Sequence, residues 1–93
     1  MQSEKKDDQQ RELPPIDFTS FIMSLGTQAM MYLGDVKPPP GMDVKVDREA
    51  ARHMIDVIEM LKNKSKGNLE PGEEKFVEEI LHNLRLRFLN AGK

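Results

Sequence analysis

Residues 47–69 read DREAARHMIDVIEMLKNKSKGNL. Ala51, Met54, Ile55, Ile58 and Leu61 recur at intervals of three and four, the spacing that lines one face of an α-helix. Asp47 stands where a side-chain oxygen can accept the free amides of the first turn, and Val46 before it suits a hydrophobic staple. At the other end Lys62, Lys64 and Lys66 complement the negative end of the helix dipole. Gly67 offers a left-handed residue to stop the helix, and Leu69 a capping contact. A helix with one such stripe needs other helices to bury it.

Towards the C-terminus, Pro71 fits the first position of a further helix, with Glu73 and Glu74 near its positive end. Val77, Ile80, Leu81, Leu84 and Phe88 form the stripe of that helix, and the short connection makes the pair an antiparallel hairpin. Towards the N-terminus, Asp35 to Val46 contain Pro38, Pro39, Pro40 and Gly41, which no helix interior accommodates, so this stretch is a loop. Before it Asp17 is placed to cap a helix that runs to Leu33, with Gly34 just past its end. Residues 1–12 have no apolar side chain after Met1 and read as a disordered polar tail. The expected architecture is therefore all-α: a single domain over 13–91, with helices about 17–33, 47–66 and 71–90, joined into a dimeric bundle.

The dimer expectation comes from size. Of 93 residues about 81 are left to fold, and a chain this short buries only roughly 60–65% of its unfolded surface. With no cysteine there is no disulfide and no thiolate metal site to add to that margin, which leaves oligomerisation.

Several resemblances between segments and a known family accompany this reading. Leu13 to Phe21 (LPPIDFTSF), the uncharged helix closing on Tyr32-Leu33-Gly34, Ile55 to Leu69 (IDVIEMLKNKSKGNL) and Leu84 to Phe88 (LRLRF) look like a small bacterial family catalogued as domain of unknown function 1844. The likeness spans Leu13 to about Leu89. It implies a compact helical protein of the bacterial cytoplasm with no established activity, and it brings no catalytic residues with it. The Glu70-Pro71-Gly72 start of the third helix departs from the hydroxyl N-cap that the family leads one to expect.

Catalysis finds no footing in the residues. Glu79 and His82 have the Glu-x-x-His spacing of carboxylate-bridged metal bundles, but one chain supplies one motif, and both lie opposite the apolar stripe. His53, with Glu49 and Asp56 at helical spacing, also lies away from its stripe and reads as part of a solvated ion-pair face. No serine or threonine sits in a nucleophile elbow, and there is no glycine-rich phosphate loop. The expectation is a non-enzyme without metal or cofactor. Lys62, Lys64 and Lys66 form the one basic cluster, without an aromatic beside it, so nucleic acid is not an expected partner. The longest uncharged run, Phe18 to Gly34, is interrupted by Ser20, Ser24, Thr27 and Gln28. No transmembrane segment and no signal peptide are expected, and the cytoplasm is the default location.

The first helix is the unusual one. Phe18, Phe21, Ile22, Leu25, Ala29, Tyr32 and Leu33 make its apolar stripe, and the opposite face, with Thr19, Met23, Gly26, Thr27 and Met30, carries no charge. Small residues among flexible methionines suit the close approach of another helix. Leu86 and Leu89 likewise lie opposite the stripe of the third helix. Thr19, Met23, Gly26, Thr27, Met30, Leu86 and Leu89 are thus the expected homodimer interface of a small interaction or scaffolding module. The alternative from another class is a small-molecule binder with a pocket lined by Phe18, Phe21, Tyr32 and Phe88. A third reading is a peripheral membrane or nucleic-acid adaptor using the three lysines, and a fourth lets the 35–46 loop cover the first helix in place of a second subunit.

Overall fold

The computed structural model describes residues 16–91, so the expectation for residues 1–12 lies outside the described residues. Three helices, α1 (Phe18–Leu33), α2 (Arg48–Lys64) and α3 (Pro71–Ala91), each pack on the other two, and no strand occurs among the described residues.

Each boundary has a local cause. The Asp17 carboxylate accepts the Ser20 amide at 2.7 Å and the Thr19 hydroxyl at 2.9 Å, satisfying donors that the first turn leaves free. Gly34, at φ +85°, ends α1 in a Schellman motif: its N–H donates to Met31 O, and Asp35 N–H reaches back to Met30 O at 2.9 Å. Asp47 caps α2 by accepting from Ala50 N–H at 3.1 Å. Val46, expected as a staple, is instead 71% exposed and lies over Gly34, where one of its methyl groups would stand 3.2 Å from an added Cβ. α2 closes two residues earlier than expected, at Lys64, because the Ser65 hydroxyl donates back to Leu61 O at 2.7 Å. Gly67, at φ +89°, then takes the third place of a turn closed by Asn68 N–H to Ser65 O. α3 begins at Pro71, and without a hydroxyl cap: the Glu73 carboxylate accepts the Glu70 amide at 2.9 Å, which is the reciprocal half of a capping box.

The core is aliphatic. Ile22 and Ala29 of α1, Ile55 and Ile58 of α2, and Val77, Leu81 and Leu84 of α3 form one buried cluster, with Phe18, Leu25, Met30, Met54, Leu61, Phe76, Ile80 and Phe88 packed around it. No aromatic side chain is fully buried among the described residues, so each contributes less than its full burial value of roughly 1.5–3 kcal/mol.

α1 is turned relative to its sequence stripe. At 100° per residue from Leu25, the stripe of Phe18, Phe21, Ile22, Leu25, Ala29, Tyr32 and Leu33 centres near about 20°, whereas the buried Ile22, Gly26, Ala29 and Leu33 centre near about 70°. The cause is Gly26. It is buried, and a Cβ built there would lie 3.6 Å from Ile80 Cγ2 and 3.8 Å from Leu84 Cδ1, so α3 occupies the low point that the glycine creates. Gly26 therefore faces α3 of its own chain and not a second subunit, and Phe21, expected in the core, is 50% exposed.

These two glycines give opposite expectations for substitution by alanine. At Gly26 the space is ordinary van der Waals contact and the backbone is helical, so Gly26→Ala raises unfolding stability by up to about 1 kcal/mol through helix propensity. At Gly34 the left-handed backbone and the crowding by Val46 make the same change destabilising by about 1–2 kcal/mol. Urea titration of both variants checks the pair, and a destabilised Gly26→Ala contradicts the packing described for α1 against α3.

Candidate functional site

α1 contains no Asp, Glu, Lys, Arg or His along its sixteen residues, although one side of it faces outward. Phe21, Ser24 and Gln28 are exposed on that side, and Thr27, Met31 and Tyr32 are half-buried beside them. Ser24, Thr27, Gln28, Met31 and Tyr32 form one wall and floor of a groove of about 570 Å³, and Met42 and Val44 of the connecting loop form the other wall.

The loop is held there by its own chemistry. Pro39, Pro40, Gly41 and Met42 make a tight turn closed by Met42 N–H to Pro39 O at 3.1 Å, with Gly41 at φ +88° in the third place, as a type II turn requires. Asp47 N–H donates to Tyr32 O at 2.8 Å, tying the end of the loop to the last turn of α1. At the other end the Asp35 carboxylate accepts from Arg87 at 3.0 Å. The loop thus flanks the outer face of α1 without covering it, since Ser24, Gln28 and Phe21 stay exposed.

Ser24 turns its hydroxyl onto Phe21 O at 2.7 Å, so its one donor is already satisfied within the helix. That lowers the cost of removing this face from water. The Asp17 carboxyl at the start of α1 lies below the usual carboxylate range, chiefly because the Ser20 backbone amide donates to its charged form, with the Thr19 hydroxyl adding to the effect.

The residues expected at an interface do not gather on one surface. Gly26 is buried under α3, and Met30 packs against the core. Thr19 and Met23, with Ser20 and Phe76, line a shallow depression, while Thr27 belongs to the groove. Leu86 is 49% exposed on α3, and Leu89, 61% exposed, borders a separate cleft between α2 and α3 with Arg52, Arg85 and Phe88. Nor do Phe18, Phe21, Tyr32 and Phe88 share a pocket: Phe18 packs on the core, Phe21 is half-exposed, Tyr32 lines the groove, and Phe88 lies in the α2–α3 cleft under the Arg48 guanidinium at 3.9 Å. The groove residues Ser24, Gln28, Met31, Met42 and Val44 were not among the expected site. Their signal in the sequence was the unbroken lack of charge from Phe18 to Gly34, which does not say which side faces out.

His53 and His82 are both exposed, and among the described residues no three His, Cys, Asp or Glu side chains converge as a metal site. The lysine cluster has acids beside it: Lys62 lies 4.0 Å from Glu78, and Lys62 and Lys66 share a depression with Glu74 and Glu78. No helix among the described residues is long and apolar enough to cross a membrane.

These features define a small three-helix domain with one charge-free, grooved face. Residues 15–90 match the family described as Domain of unknown function (DUF1844), which covers most of the chain. The chain belongs to the DUF1844 family. No curated protein and no solved structure matches it.

Asp17 sets a pH expectation for the helix that carries the groove. Its lowered folded pKa means that its stabilisation is present above the ordinary carboxylate pKa of about 4 and is lost as pH falls through the lower folded value. Asp17→Asn keeps a cap but removes this titration, so its thermal midpoint falls less than that of the parent between about pH 5 and pH 3. Parallel acid slopes for the two proteins would contradict the cap as drawn.

Proposed function

We propose that this chain is a non-catalytic helical interaction module that acts as a homodimer through the outer face of α1. The observation that carries the reading is the absence of any charged side chain on a helix with a solvent-facing side. A solvated helix face ordinarily carries Lys or Glu, as α2 does with Glu49, Arg52, Asp56 and Glu59, all exposed. Three properties of the α1 face support occupancy by protein. Its serine is internally bonded, it is concave beside the loop, and Met31 and Met42 line it with side chains that adapt to an opposing surface.

The area is adequate for a two-fold contact. Sixteen helical residues span about 24 Å, and a helix of about 10–12 Å diameter with a loop wall of similar width presents roughly 500 Å². Two such faces give on the order of 1,000 Å² in total, the lower bound for a specific interface. Among the described residues the buried core is nine aliphatic side chains, two of them alanines, a small core to which such a contact would add stability.

Sedimentation velocity at micromolar concentration tests the reading, with a mass of twice 10.7 kDa expected. Ser24→Lys and Gln28→Lys, each made singly, place an unpaired charge in the contact and shift the species to a monomer while far-UV circular dichroism keeps its helical signature. A wild-type chain that sediments as a monomer, with a melting temperature independent of concentration, overturns the homodimer.

A further inference from the structure

The groove and the half-exposed Phe21 stand on the same charge-free side of α1, separated along the helix. From Phe21 to Met31 is ten residues, about 15 Å of axis. A two-fold axis perpendicular to α1, crossing its outer face midway at the level of Gly26, brings each residue of one copy opposite a residue equally far on the other side of that level. Phe21 then faces Met31 of the second copy, and Ser24 faces Gln28. We infer that two copies pair with their α1 helices antiparallel, each Phe21 seated in the groove that Met31, Tyr32, Met42 and Val44 of the other copy wall. The inference rests on the homodimer reading above and specifies its geometry.

Two observations favour this seat. The groove, about 570 Å³, has room for a phenyl ring together with the helix turn that carries it. Phe21 is the one aromatic residue of α1 that is exposed, so the same face offers a knob and a hole. An isologous contact requires that kind of self-complementarity, because one patch must serve both sides. A parallel pairing does not use it: Phe21 would meet Phe21, and both grooves would remain open.

The natural absence of cysteine makes the test clean. Ser24→Cys and Gln28→Cys chains are mixed in equal amounts and oxidised, and the three possible disulfide products are separated by mass. The antiparallel seat predicts that the mixed product dominates, because its two Cα atoms lie at one level. Like pairs are displaced by about 6 Å along the axis, beyond comfortable disulfide reach. Phe21→Ala is expected to weaken dimerisation at least tenfold, with Phe21→Leu recovering most of it and both variants keeping their helicity. Predominant like pairs, or a Phe21→Ala dimer of parental affinity, overturns the antiparallel seat and leaves the homodimer standing. A monomeric wild-type chain overturns both.

Discussion

Ile80 and Leu84 of α3 lie over Gly26, and that contact sets which side of α1 is left outside. A Cβ at Gly26 would stand at ordinary contact distance from α3, so what α1 offers there is a low surface of small residues, and packing on it turns α1 so that Ile22, Ala29 and Leu33 point inward together. The same rotation turns Phe21, Ser24 and Gln28 to the outside. It also leaves Tyr32 beside the connecting loop, where its carbonyl receives the Asp47 amide. The groove therefore depends both on how α1 meets α3 and on the loop that supplies its other wall.

Charge shows the contrast between the helices. Arg85 meets Glu59 at 2.7 Å across α3 and α2, Lys62 approaches Glu78, and Arg87 ties α3 to Asp35. Pairs this exposed contribute about 0–1 kcal/mol each, so their weight in stability is small. What they mark is solvent: α2 and α3 spend their outer faces on ions, while α1 has none to spend. Among the described residues Arg48 is the guanidinium that stacks on a ring, lying over Phe88 and donating to the Phe88 carbonyl at 3.2 Å, which closes the open end of the hairpin.

Legibility followed range. Asp17, Gly34, Asp47 and Pro71 announce their helix ends because a cap is an interaction among neighbours within a turn or two. The stripes of α2 and α3 were equally readable, with Ile55, Ile58, Val77, Leu81 and Leu84 all inside. Val46 and Phe21 were misplaced for one reason: each has a nonlocal neighbour that decides it, Gly34 across the loop and the Gly26 contact with α3. Gly26 itself was recognisable as a point of close helix approach, yet the approaching helix is in the same chain. The four aromatics expected to share a pocket were dispersed by the same geometry, since Phe88 belongs to the α2–α3 side and Tyr32 to the loop side.

By itself the sequence determined the three helices of the described residues, where each starts, where α1 and α3 stop, and that the first of them carries no charge. Those properties are written in caps, prolines and periodicity, which act within a few residues. Only the tertiary structure decided which side of that uncharged helix is left outside. A helix apolar or small nearly all the way round has no polar face to fix its rotation, so the choice fell to the low surface at Gly26 and the side chains of α3 that pack on it.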